Sequence, residues 1–257
     1  MFQAMSSAAS AIKNQQKRID TIANNVANIN TTAFKGSRLD FKDSLYVTGI
    51  VPGSARSSDA NQQRGHGLMT AGITTDWRAG QIIVTEGQFD FALEGEGFFS
   101  VGDLAGNILY TRNGNFNISA EADGLYLVNA SGWYVLDNNG ARIRIPDGTH
   151  TVNVSVDGVL NFKTAYGDMM ATLGVFTFRN LTGLHAVGGS MFEESDASGE
   201  RFVPVNTMVR QGALEGSNVN LAEEMTRLMR TQRAFQLASR ALTTADEMEG
   251  IANNMRR

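Results

Sequence analysis

The sequence has 257 residues, 42% hydrophobic and 19% charged, with a formal net charge of −4 and no cysteine. The missing cysteines exclude disulfides, thiolate chemistry, iron–sulfur clusters and cysteine-ligated zinc, and no block of like charge offers the phosphate-tracking surface of a nucleic-acid binder. No stretch approaches the ~18 consecutive apolar residues of a membrane span, and Met1 to Ser10 lacks the basic and apolar regions of a cleavable secretory signal.

In chain order, residues 1–35 read as a long helix. Met5, Ile12, Ile19 and Val26 recur every seven residues, and Ala8, Gln15, Ile22 and Ile29 follow each by three. This is an a/d seam carried over several heptads. Lys13, Asn14, Lys17, Arg18, Asp20, Asn24 and Asn25 lie between the seam positions. No proline or glycine interrupts Met1 to Ala33, so the pattern predicts about 30 helical residues, ~45 Å long.

Residues 36–71 form a connector or insert, rich in Gly, Ser, Asn and Gln around Pro52-Gly53 and Ser57-Ser58. Such a composition suits either a plain linker or a segment that orders on assembly.

Residues 72–209 predict an antiparallel β domain. Phe89, Phe91 and Leu93 alternate with Asp90, Ala92 and Glu94, a half-buried strand. Gly95-Glu96-Gly97 turns into Phe98 to Val101, and Asn113-Gly114 reads as a hairpin between Ile108–Arg112 and Phe116. Asp123-Gly124, Asn139-Gly140, Asp147-Gly148 and Asp157-Gly158 supply further turns between short apolar runs. Short, evenly spaced strands mean an antiparallel domain and not βαβ units.

Residues 210–219 are a second connector and 220–257 a second helix. Asn220 followed by Glu223 is a capping-box pattern. Leu221, Met225, Leu228, Gln232, Phe235 and Leu242 mark its stripe, continued by Ala245, Met248, Ala252 and Met255. A single such stripe packs as readily on its own domain core. Two narrow stripes at opposite chain ends, each with a seam-polar position (Gln15, Gln232), suit a bundle made between subunits. The expected fold class is therefore α+β: an all-β antiparallel central domain flanked by long terminal helices that form a coiled-coil-like layer on assembly.

No catalytic or metal site emerges. His66, His150 and His185 lack partners at ligand spacing. Gly95-x-Gly97 has no third glycine and opens no helix, and no nucleophile elbow is present. Glu193-Glu194 and Glu223-Glu224 are chain neighbours whose side chains diverge. Trp77 and Trp133 lie on alternating strands and read as core. No cofactor and no metal is implied.

Ile22-Ala23-Asn24-Asn25-Val26-Ala27-Asn28-Ile29-Asn30-Thr31-Thr32-Ala33-Phe34-Lys35 resembles the N-terminal signature of bacterial flagellar rod and hook proteins, the axial components of the hook–basal body. Leu93 to Phe99 with Tyr110 to Phe116 resembles the start of that family's β domain. Leu214 to Asn220, Glu223 to Met225 and Thr231 to Phe235 resemble its C-terminal helix. The length suggests a rod component and not a hook subunit. The insert around Pro52-Gly53 is similar to the distal rod class, while Glu249-Gly250-Ile251-Ala252-Asn253 is closer to the proximal class.

The resemblance implies a structural protein exported through the flagellar type III apparatus to the basal body, in the periplasm or cell wall. It implies helical polymerisation with copies of itself and with other rod and hook proteins, helices inside and the β domain outside. Whether that domain touches bushing rings, peptidoglycan or nothing is left open. Within this frame Asn24, Asn25, Asn28 and Asn30 supply interhelical or capping hydrogen bonds, with Thr31 and Lys35 completing the motif, and Phe34 anchors the exit from the first helix. Met5, Ile12, Ile19, Ile22, Val26 and Ile29 face Leu221, Met225, Leu228, Phe235 and Leu242 or their symmetry mates, and residues 46–64 lock neighbours. A cell-surface β module on a helical stalk is the competing reading from another class.

Overall fold

The computed structural model describes residues 2–48, 63–65, 67–146, 148–164 and 167–255. Met1, most of the insert (49–62), His66, Asp147 and the terminal Arg256 and Arg257 lie outside the described residues. The chain divides into two compact units, Met1–Ala27 with Ser37–Thr75 and Asn220–Arg257, and Asn28–Gly36 with Asp76–Val219.

The first unit is a helix pair on a β ribbon. Helix α1 spans Phe2–Ala27 and packs against α2, Leu221–Asn254. The first helix thus stops well short of residue 35. Beyond Ala27 the run Asn28-Ile29-Asn30-Thr31-Thr32 is rich in residues whose side chains compete for the backbone. Asn28 carbonyl accepts from Thr31 N–H at 3.1 Å, and its side-chain oxygen accepts from the Thr31 hydroxyl at 3.2 Å. Ala33 then turns the chain in the left-handed region at φ 56°. Helix α2 starts as its cap demands: Asn220 Oδ1 accepts from the N–H groups of Ala222 (3.0 Å) and Glu223 (3.3 Å). The Glu223 carboxylate, the other half of the expected capping box, pairs with Arg227 at 2.5 Å.

The connector expected over 36–71 contains regular structure. Ser37–Asp43 pairs antiparallel with Leu68–Thr75, with a bulge between Asp40 and Phe41, and Tyr46–Thr48 pairs with Gln63–Gly65. Polar α1 side chains hold this ribbon. Ser10 and Asn14 both donate to Leu68 carbonyl at 2.7 Å, and the Thr70 hydroxyl donates to Asn14 Oδ1 at 2.9 Å.

The second unit is the antiparallel β domain. Its main sheet runs Arg144–Ile145, Gly124–Asn129, Tyr134–Val135, Phe98–Gly102, Ile108–Thr111, Met191–Glu193, His185–Gly188. Thr149–Val154, Val159–Thr164 and Gly167–Thr172 form a three-stranded sheet, whose Asp157-Gly158 turn places Gly158 at φ 79°. The expected connector at 210–219 also holds strands: Met208–Gln211 pairs with Phe91–Glu94, and Ala213–Glu215 with Ile82–Val84.

Asn113-Gly114 is not a hairpin turn. Phe116–Glu121 pairs onward with Gly124–Asn129, and Gly114 carbonyl instead accepts from Phe91 N–H at 3.0 Å. A side chain there would meet the Phe91 carbonyl oxygen at 1.8 Å, so glycine serves close approach of two strands. The core gathers Phe91, Phe99, Val101, Leu127, Val135, Leu160 and Phe162, with Trp133 packed at its margin. A second cluster of Phe98, Tyr110, Phe176, Phe178 and Phe192 takes Trp77 edge-on at 5.5 Å from Phe98 and 4.9 Å from Phe192.

Candidate functional site

In the β unit, three charged side chains from distant parts of the chain meet in the interior. Glu215 Oε1 accepts from Lys35 Nζ at 2.6 Å and from Gly80 N–H at 2.8 Å, while its Oε2 accepts from Arg112 Nε at 2.6 Å. The side chains of Lys35, Glu215 and Arg112 are 1%, 1% and 6% exposed, so water does not screen them. Further hydrogen bonds from both cations go to backbone: Lys35 Nζ donates to Arg78 carbonyl (2.8 Å), and the Arg112 fork to the carbonyls of Gly97 (3.0 Å), Gly95 (3.0 Å) and Leu93 (3.3 Å). The Gly95-Glu96-Gly97 loop, at φ 122° and 140°, wraps a guanidinium and joins strands that do not pair with each other.

Two cations against one anion leave a net positive charge inside. Burial pushes the Lys35 ammonium below the usual lysine value, more than the facing Glu215 charge raises it. Burial also works to raise Glu215, but the charges of Arg112 and Lys35 outweigh it and hold the carboxyl below its ordinary range.

Around the triad, the chain entering the β unit is stapled to the chain leaving it. Ala33 N–H donates to Glu215 carbonyl at 2.7 Å, and Gly36 N–H donates to Asn218 Oδ1 at 2.8 Å. Asn218 Nδ2 donates to the carbonyls of Asp76 (2.7 Å) and Arg78 (3.1 Å). Phe34 is half-buried beside this staple, its carbonyl accepting from Asn218 N–H at 3.4 Å.

In the helical unit, Asn25 is buried and acts as a substitute strand: its Nδ2 donates to Ser37 carbonyl at 2.8 Å and its Oδ1 accepts from Ser37 N–H at 2.9 Å. It bonds the ribbon, not the other helix. Asn24 borders an open groove of about 550 Å³ with Lys17, Thr21, Leu39, Thr70 and Ile73, and Asn30 is exposed in its turn. Ile22 is buried within a single copy, and Met5, Ile12, Ile19 and Val26 are half-buried, so the α1 seam is largely covered by its own chain, while Ile29, half-buried, lies past the end of the helix.

On α2 the covered face is Glu224, Leu228, Thr231, Phe235, Ala238, Leu242 and Ala245, in alternating steps of four and three. Leu221, Met225 and Gln232 are exposed. Of the residues expected to face α1 or its symmetry mates, Leu228, Phe235 and Leu242 thus lie on the covered face, and Leu221 and Met225 do not. The small residues Thr231, Ala238 and Ala245 allow close contact on a face that apolar character alone does not mark.

These segments match known families. Residues 5–35 match the flagella basal body rod protein family, residues 92–162 the D1 domain of the flagellar hook protein FlgE/F/G, and residues 210–255 the flagellar basal body rod FlgEFG protein C-terminal region. The flagellar basal-body rod protein FlgG of Borreliella burgdorferi is 35% identical over all of both chains. That of Agrobacterium fabrum is 34% identical over 98% of each. The flagellar hook-basal body complex protein FlhP of Bacillus subtilis is 30% identical over all of both. The chain belongs to the flagellar basal-body rod proteins. Membership makes it a structural protein of the flagellar basal body, assembling with other axial proteins, and the stalked binding module is not favoured.

Each member of the buried triad comes from a different matched segment: Lys35 from the first, Arg112 from the second, Glu215 from the third. Charge reading of the sequence passed over Arg112 and Glu215. The available signal was their setting, single charges amid Gly and Asn in Thr111-Arg112-Asn113-Gly114 and Leu214-Glu215-Gly216.

Proposed function

We propose that this chain is a self-polymerising subunit of the flagellar rod, whose paired terminal helices complete one another between copies to build a tube that carries torque. The observation that carries the reading is where buried apolar residues cluster. Among the described residues, every such cluster lies in the β unit. The helical unit has none, yet α2 exposes Leu221, Met225, Met229, Leu237, Met248, Ile251 and Met255. Long helices with an uncovered apolar surface gain order from neighbours.

In this reading, the half-buried Ile19 and Phe235 belong to the packed helical layer. The triad and the Asn218 staple hold the two ends of the β unit together under load. Asn25, Asn28 and the turn at Thr31 shape the exit from α1. Residues 46–64 contact neighbours, and the subunit reaches its place through the flagellar export apparatus, outward of which rings or peptidoglycan meet the β unit.

The test is polymerisation of the purified full chain, read by sedimentation and electron microscopy. Replacing Ile19 or Phe235 with Asp should abolish polymers while the near-UV signal of Trp77 and Trp133 is retained. Polymers of unchanged yield in both variants would overturn the reading.

A further inference from the structure

Helix α2 has three sides, and among the described residues only one is covered within a copy. The covered face has been described. At 3.6 residues per turn, Leu221, Met225, Met229, Gln232 and Gln236 form a second side on the N-terminal half. Ala241, Thr244, Met248, Ile251 and Met255 form a third on the C-terminal half, about 120° further round. All ten residues are exposed, with Met229, Met248, Ile251 and Met255 at 54%, 51%, 58% and 79%. Both runs step four and three residues, the spacing of a helix–helix seam.

The two sides have matching lengths and different positions along the helix. Setting one against the other aligns Leu221 with Ala241, Met225 with Thr244, Met229 with Met248, Gln232 with Ile251 and Gln236 with Met255. Two parallel helices achieve this with a shift of about 19–20 residues, ~29 Å along the axis. The charges then agree. Exposed Glu247 flanks the C-terminal side and exposed Arg233 flanks the N-terminal one. With that shift they fall on the same edge of the seam, at the offset of about five residues that parallel coiled coils use for flanking ion pairs. An in-register pairing would instead place each charge beside its own copy.

We propose that neighbouring copies pack with parallel α2 helices staggered by about 29 Å, the C-terminal Met248–Ile251–Met255 side of one seated on the N-terminal Leu221–Met225–Met229 side of the next, with Glu247 paired to Arg233. The occupant of each side is a second copy of this chain. Because the two sides are different surfaces the contact is head-to-tail, and the axial stagger of about 29 Å keeps it from closing into a ring. This deepens the self-assembly reading and rests on it.

The chain has no cysteine, so engineered thiols report the register directly. The full chain carrying both Met229→Cys and Met248→Cys should form, on mild oxidation of the polymer, a ladder of disulfide-linked oligomers. Met248→Cys alone should give almost no covalent dimer. A double variant that links only to dimers, or a single variant that links as efficiently, overturns the stagger. In parallel, Glu247→Arg and Arg233→Glu should each lower polymer yield roughly tenfold, and together restore most of it. A combined variant no better than either alone, while the unaltered chain polymerises, overturns this packing and leaves the self-assembly reading standing. An unaltered chain that never polymerises overturns both.

Discussion

Glu215 ties together three distant parts of the β unit, because one carboxylate accepts from two cations and a backbone amide. A buried ion group of this kind is a poor argument for stability in itself, since desolvation consumes much of the Coulomb gain. Removing one partner is different: Glu215→Gln keeps the volume but leaves Lys35 and Arg112 as uncompensated interior charges. The expected loss is about 3–5 kcal/mol, measured by urea unfolding followed through Trp77 and Trp133 fluorescence. The acid dependence has a defined sign. Glu215 is held below its ordinary carboxylate range when folded, so its contribution is fully present above the unfolded value near 4.5 and is lost as pH falls through the lower folded value. The unaltered chain should lose stability over that interval more steeply than Glu215→Gln. Parallel acid profiles for the two proteins would count against the triad as the cause.

At the scale of elements, the family motif divides its work between two places. Asn25 fastens α1 to the ribbon through both polar atoms of its amide, and Asn28 with Thr31 ends the helix. Asn25→Ala removes both bonds to the Ser37 backbone and leaves its N–H and carbonyl without that partner, at a cost of about 1–3 kcal/mol. Faster amide exchange over Ser37–Asp43, with Phe98–Gly102 unchanged, is the expected outcome, and uniform exchange in both would refute it. The contrast also marks what the sequence made legible. Both helices, the Asn220 cap and the alternating strands from Phe91 onward could be read because their causes are local: period, cap chemistry, turn residues. The ribbon could not, because Ser37–Asp43 finds its partner across the insert and does not alternate cleanly, while Leu68–Thr75 alternates in burial with apolar Met69 and Ile73 on its exposed side. The hairpin expected at Asn113-Gly114 failed for the same reason, since the glycine answers to Phe91, a residue of another sheet. The triad was the least legible feature. Lys35 and Arg112 stand 180 and 103 residues from Glu215, and no periodicity links them.

At the scale of the molecule, the two units differ in what holds them. The β unit carries all the clusters of buried apolar side chains among the described residues, an edge-to-face aromatic group and the ion triad. The helical unit relies on a helix pair whose second member is covered on one side by small and polar residues such as Thr231, Ala238 and Ala245. Burial near 25 cal/mol per Å² is the main favourable term, so the unit that buries less apolar surface opens at lower cost. Hydrogen exchange of the dilute chain should therefore show α2 amides from Met225 to Met248 exchanging at least roughly a hundredfold faster than Phe98–Gly102, a gap of about 3 kcal/mol in opening free energy. In the polymer, α2 should slow to the rate of the β strands, because each copy then covers the surfaces its neighbour leaves open. Equal protection of both units in the dilute chain would mean that a lone copy already holds all the packing it needs, and assembly would then require a different driving surface.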